Sequence, residues 1–289
     1  MDYRCGLRPL HPRNVGIPDS TMEKTMPNPA AAVLLDRPIR IDIAKLVQAL
    51  IERHPDISPD QSPVPLSDAI AVPDSTVLLK FSGQIIALIK FNAPLPASNW
   101  QPAARRALYW PEAASVCQHH RAYIVVSAMG EGDNTLAVAQ AMTAVAGALA
   151  ATHPACSAVL WSTTAVNSAK VWAEYARRAF ASYPEYPMVL WVSVQGLRDK
   201  ARSRTGMITQ GLQAFAGCEV QIEADQSRAG ELLDNVYGLV AYLLQPGATI
   251  GDGDTFGGSA AERITIRHAE SLYVPGVPVY AATLEATQP

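Results

Sequence analysis

The sequence predicts an α/β (α+β) fold built from two related ferredoxin-like (split β-α-β) halves with mostly antiparallel sheets. Three observations carry this expectation. Short β-rich runs alternate with helical periodicities along most of the chain. Thr76–Phe81 and Gln84–Phe91 flank Ser82-Gly83, which is the pattern of a β-hairpin on a two-residue turn. The order strand, helix, hairpin, helix, strand in the first half recurs in the second with additional strands, as in split β-α-β units. The expected division is a loose N-terminal arm over residues 1–27, an N-terminal half over 28–155 and a C-terminal half over 156–289. The two halves could share one continuous sheet.

The elements follow in order. Residues 1–27 are polar, proline-bearing and aperiodic, as expected of a loose arm. Ala31–Leu35 is a short strand. Ile41–Arg53 is a helix with Ile43, Leu46, Val47, Leu50 and Ile51 on one face. Pro55, Pro59, Pro63 and Pro65 break it and predict a loop as far as Pro73. After the hairpin, Pro94, Pro96 and Pro102 predict a loop around Trp100. Pro111 suits the first turn of a helix ending near Gln118. Tyr123–Ser127 is a strand, and Asn134–Thr152 an alanine-rich helix.

In the second half, Ala158–Trp161 is a strand. Ser168 caps a helix to Phe180, with Val171, Tyr175 and Phe180 on one side. Met188–Val194 and Thr205–Thr209 read as strands joined by a polar turn, Arg198–Arg204. Cys218–Glu223 alternates strictly, which predicts a half-exposed strand with Glu219, Gln221 and Glu223 outward. Ala229–Leu244 is a helix with Leu232, Leu233, Val236, Val240, Leu243 and Leu244 inward, ended by Pro246-Gly247. Arg263–Arg267 and Val277–Ala281 are the last strands.

Composition narrows the function classes. The chain has 289 residues, 49% hydrophobic and 17% charged, which suits a sizeable core and not a disordered chain. A net charge of −3 leaves no overall basic footprint for nucleic acid. Cys5, Cys117, Cys156 and Cys218 form no CxxC pair, so neither a disulfide framework nor a zinc site is expected, and free thiols in a reducing compartment are. The start of the chain lacks the apolar run of a secretory signal, and the apolar stretch Leu136–Ala151 is short of the ~20 residues of a membrane span. The expectation is a soluble cytoplasmic protein with no nucleic-acid or membrane partner and no cofactor.

No motif supplies catalytic or metal-binding residues. Gly251-Asp-Gly-Asp-Thr-Phe-Gly-Gly258 resembles a calcium loop only superficially, because the twelfth position from Asp252 is Arg263 and not a glutamate. It also lacks the Gly-Lys-Ser/Thr of a phosphate loop, so its glycines are expected to serve a tight turn. His119 and His120 adjoin Cys117 without an orienting acid, and a surface or interface role is the plainer reading. Gly-x-Ser-x-Gly and HExxH do not occur. Trp161, Trp172 and Trp191 read as packing residues. Seven acids, Glu219, Glu223, Asp225, Glu231, Asp234, Asp252 and Asp254, lie between Glu219 and Asp254 with only Arg228 opposing them. A stretch of one charge sign suits a docking surface for an oppositely charged partner.

Several C-terminal segments together resemble a bacterial family catalogued as domain of unknown function 4261. They are Thr209-Gln-Gly-Leu212, Phe215-Ala-Gly-Cys-Glu219, Gly251–Gly257, Ile264-Thr-Ile-Arg-His268 and Ser271. The similarity spans about 205–284, with thinner traces at Val126–Gly130 and Ala155–Trp161. The resemblance implies a context and no catalytic residues: similar domains occur as immunity proteins beside antibacterial toxins, including type VI secretion effectors.

The resulting expectation is a non-enzymatic immunity protein that binds a cognate toxin encoded by an adjacent gene. Glu219, Glu223, Asp225, Asp252 and Asp254 form the expected contact surface, suited to a basic toxin such as a nuclease. The alternative is an enzyme or small-molecule sensor with a cleft between the halves, for which Cys117, His119 and the Asp252 loop are the candidates. A structural subunit of a larger assembly is a third possibility.

Overall fold

The computed structural model describes residues 30–66, 73–129, 135–199, 204–257 and 264–285. The expected N-terminal arm, most of the Arg198–Arg204 turn and the end of the glycine-aspartate loop lie outside them. In chain order the elements begin β1 (Ala30–Leu35), α1 (Ile43–Arg53), β2 (Val64–Pro65), β3 (Thr76–Phe81) and β4 (Gln84–Phe91). Next come α2 (Ala97–Arg105), α3 (Ala113–Gln118), β5 (Ala122–Met129), α4 (Thr135–Thr152), β6 (Cys156–Trp161), β7 (Ala165–Ser168) and α5 (Ala169–Tyr175). The rest are β8 (Ser193–Asp199), β9 (Arg204–Gln210), α6 (Gln213–Ala216), β10 (Glu219–Asp225), α7 (Leu232–Leu243), β11 (Thr255–Phe256), β12 (Ile264–Thr265), β13 (Arg267–Glu270) and β14 (Pro278–Leu284).

The strands form a seven-stranded antiparallel sheet in the order β2-β3-β4-β5-β1-β6-β7 and a five-stranded sheet in the order β13-β14-β10-β9-β8. In the second sheet only β10 and β14 run parallel. A small β11–β12 ribbon is the third. The α/β class with mostly antiparallel sheets therefore stands, while the two large sheets are separate and not continuous. β6 and β7 lie beyond the expected boundary at 155/156, yet β6 pairs with β1 and so belongs to the first sheet.

The hairpin follows its turn chemistry. Ser82 and Gly83 both take positive φ, 49° and 75°, as a two-residue turn matched to strand twist requires, and Phe81 pairs with Gln84. Asp42 caps α1 by accepting from the Lys45 amide at 3.0 Å, and Ser168 caps α5 by accepting from Val171 at 3.3 Å.

Helix α4 is the shared centre. By length and composition it could cross a membrane, but it is mostly buried inside the protein. Val138, Met142, Val145 and Leu149 join one hydrophobic cluster that continues into both large sheets, α1 and α7. Thr143, fully buried, bonds two indoles: its hydroxyl accepts from Trp191 Nε1 at 2.7 Å and its carbonyl from Trp172 Nε1 at 3.4 Å. Trp161 stacks on Trp172, and Trp191 on Phe215, with centroids 6.2 and 5.5 Å apart. The three tryptophans are packing residues, as expected, and they join the two sheets.

Three local expectations differ. The segment around Trp100 is helix α2 despite Pro102, because Trp100, Ala103 and Ala104 bury against the outer face of the first sheet with Cys117 and Leu160. Met188–Leu190 is a 3-10 turn, and the strand starts only at Ser193. A short apolar run such as Met188–Val194 does not by itself distinguish strand from buried turn. Cys218 is disulfide-bonded, whereas Cys117 and Cys156 are free thiols. The expectation of free thiols throughout is corrected at that position.

Candidate functional site

The acidic strand does not present its acids. Glu219, Gln221 and Glu223 are 6%, 2% and 6% exposed, against the expected outward face. β10 lies inside the second sheet, and both of its faces are covered. Glu219 accepts from the Thr209 hydroxyl at 2.6 Å and from the amides of Gly211, Leu212 and Gln213 at 2.8, 3.1 and 3.2 Å. Its carboxylate thus closes the turn between β9 and α6. Glu223 accepts from Tyr273 Oη at 2.6 Å, and Gln221 Oε1 accepts from Ser271 Oγ at 2.7 Å. Strict alternation shows that one face is polar. It does not show whether that face is wet.

The other predicted contact residues divide. Asp225 is half-buried and lies 3.6 Å from Arg204, which also pairs with Glu285 at 3.0 Å. Asp252 and Asp254 are exposed. Asp254 accepts from the Gly251 amide at 2.6 Å and Asp252 from the His268 amide at 2.9 Å, so the loop is braced onto β13. Gly253 takes φ +91° there, in keeping with the tight-turn reading. The five predicted residues do not form one acidic surface.

The alternative trio does not converge either. Cys117 is fully buried on the outer face of the first sheet, and burial pushes its thiol up to about 11. His119 is exposed and bonds the Ser115 carbonyl at 2.6 Å, while Asp252 braces the far sheet. His120 is a core residue and not the expected surface one. Its Nε2 accepts from the Leu95 amide at 2.7 Å, and its Nδ1 hydrogen-bonds to the Cys117 carbonyl. Those partners fix a neutral tautomer with the proton on Nδ1.

A cleft lies at the junction of the two sheets, built from residues that the sequence did not single out as a site. It encloses about 430 Å³ between the segment after α2, the β7–α5 corner, the start of β8 and α7. That is within the size range of small-molecule sites. Ala107, Val166, Val189 and Val194 give apolar wall, while Tyr109, Tyr175 and Tyr237 bring hydroxyls. Tyr237 hydrogen-bonds with Tyr109, and burial together with its neighbouring tyrosines pushes it up to about 12.

Among the described residues Arg106 is the one charged side chain lining the cleft. Its Nη2 donates to the Thr163 carbonyl at 3.2 Å, its Nε is buried without a partner, and no carboxylate pairs with it among the described residues. Burial with no compensating anion lowers its pKa. Ser193 Oγ, also on the wall, is likewise buried without a partner. The lip is exposed and apolar: Leu108 is 55%, Tyr109 68%, Val171 37% and Tyr175 44% exposed.

One sequence signal bears on this site, the shared side of Val171 and Tyr175, although spacing alone did not say what that side faces. Val171 and Tyr175 do share one side of α5, as their i, i+4 spacing requires, and that side lines the cleft. Ala169, Trp172 and Ala176 take the core. Among the described residues no group of His, Cys, Asp and Glu could hold a metal ion.

No curated protein and no solved structure matches the chain. Residues 208–281, running from β9 into β14 and including Tyr237 but none of the other cleft residues, match the family model described as Domain of unknown function (DUF4261).

Proposed function

We propose that this protein acts by binding, as an immunity protein that neutralises a cognate antibacterial toxin in the cytoplasm. The supporting observation is the exposed lip of Leu108, Tyr109, Val171 and Tyr175 around a concave, donor-rich cleft. Aromatic residues and arginine over an apolar pocket are the residue types that dominate protein-binding hot spots. The groups that would serve chemistry have other employment. The Cys117 thiol is buried with a raised pKa, and Glu219 is consumed as a cap. The toxin context comes from the family resemblance, with type VI effectors the class it implies. We put the contact on the lip in place of the Glu219–Asp254 stretch, since Glu219 and Glu223 are buried, although Asp252 and Asp254 are exposed.

The test is co-purification with the adjacent gene's product, together with protection of cells that co-express it. Tyr109→Ala and Tyr175→Ala each weaken the complex about thirtyfold if they are hot spots. Failure to bind or protect against any neighbouring toxin removes the reading. Unchanged binding in both variants removes the lip. Fractionation belongs in the same experiment, since a disulfide at Cys218 is more usual in an oxidising compartment.

The second reading is a small-molecule sensor that uses the cleft between the sheets. The unpaired Arg106 on its wall is the observation favouring it.

A further inference from the structure

We propose that the cleft takes a small carboxylate with a flat apolar body, the carboxylate on Arg106 and the body among Tyr109, Tyr175 and Tyr237. This rests on the reading of the cleft as a ligand site and does not depend on toxin neutralisation. The argument begins from charge. Among the described residues Arg106 is the only ionic group on the wall, and no counter-ion pairs with it. Its one hydrogen bond goes to a neutral carbonyl, that of Thr163. A half-buried guanidinium without an anion is costly in the empty cleft, and an entering carboxylate would relieve that cost.

The remaining polar groups agree. Tyr175 and one member of the hydrogen-bonded pair Tyr109 and Tyr237 keep a hydroxyl proton to donate, and among the described residues no carboxylate lines the cleft to repel an anion. Phosphate esters fit less well. A dianion would call for a second cation, and the described residues of the wall supply none. The rest of the lining is largely aliphatic and aromatic, which selects a body that prefers to leave water. A volume of about 430 Å³ holds one or two rings and excludes a large polar ligand.

The experiment uses the full chain and calorimetric titration with benzoate, phenylacetate, 4-hydroxyphenylacetate and indole-3-acetate, each beside its uncharged amide. Saturable binding of at least one acid is expected, with its amide weaker by about tenfold to a hundredfold, the range of a charged hydrogen bond. Arg106→Gln should erase the preference for acid over amide, and Arg106→Lys should retain part of it. Because Arg106 also bonds Thr163, Val171→Trp serves as a second variant. It narrows the mouth from an exposed helix position and should abolish binding of acid and amide alike. Equal binding of acids and amides overturns the inference but keeps the cleft as a ligand site. No binding by any probe overturns both. Acid binding that persists in Val171→Trp places the ligand elsewhere and also overturns it.

Discussion

Two polar regions of the molecule are solved in opposite ways. On β10, every buried polar side chain is answered: Glu219 has four donors, Glu223 has Tyr273, and Gln221 has Ser271. Around the cleft, Arg106 Nε and Ser193 Oγ are buried and unanswered. Buried polar groups cost free energy unless they are paired. The first region therefore stabilises the fold, and the second carries the cost of two polar atoms that nothing satisfies. The acidic strand, the most conspicuous charge feature of the sequence, belongs to the architecture. The cleft, by contrast, is lined by a single charged side chain among the described residues.

The contrast can be broken by substitution. Glu219→Ala strands the Thr209 hydroxyl and three amides, and a loss of about 3–5 kcal/mol is expected in urea denaturation. A loss under about 1 kcal/mol would mean that the carboxylate is not the closure described here.

His54 supplies a second measure, because its Nε2 is a third buried atom without a partner. It packs edge-on against Phe180 at 5.2 Å, and burial, aided by Arg53, lowers its pKa from 6.5 to about 4. The unfolded chain therefore takes up a proton that the folded one refuses. Stability is full above pH 6.5 and is lost as pH falls from 6.5 towards 4, by up to about 2–3 kcal/mol. His54→Phe should flatten that part of a stability-against-pH curve.

Tyr273→Phe, which removes one donor from Glu223, is expected to cost about 1–2 kcal/mol by the same denaturation assay. The smallest effect should come from the cleft. Arg106→Met should change stability by less than about 1 kcal/mol in either direction, since it removes a desolvated cation that satisfies nothing ionic. A large loss there would make the cleft a structural region like β10.

Legibility in the sequence followed the range of the interactions. Ser82-Gly83 specified its hairpin, and Ser168 and the alanine-rich run Thr135–Thr152 announced their helices, because turn chemistry, caps and composition act locally. Helix α2 was hidden by Pro102, since what holds it is the burial of Trp100 against a sheet formed by distant strands. The same limit hid the site. The cleft draws Arg106 and Tyr109 from one part of the chain, Tyr175 from another and Tyr237 from a third, and no spacing rule unites them. Alternation in Cys218–Glu223 correctly separated two faces of a strand. The covering of its polar face depends on residues about 50 positions later, Ser271 and Tyr273.

The close approach at Gly147 carries a consequence for the cleft. A Cβ at Gly147 would collide with that of Ala176, so the chain just after α5 rests directly on the α4 backbone. The wall bearing Val171 and Tyr175 is thereby clamped to the most deeply embedded helix of the protein. A visitor meets a shape set in advance and need not wait for the wall to form. A single methyl added at Gly147, remote from any visitor, would tilt that wall and blunt recognition without altering one residue the visitor touches.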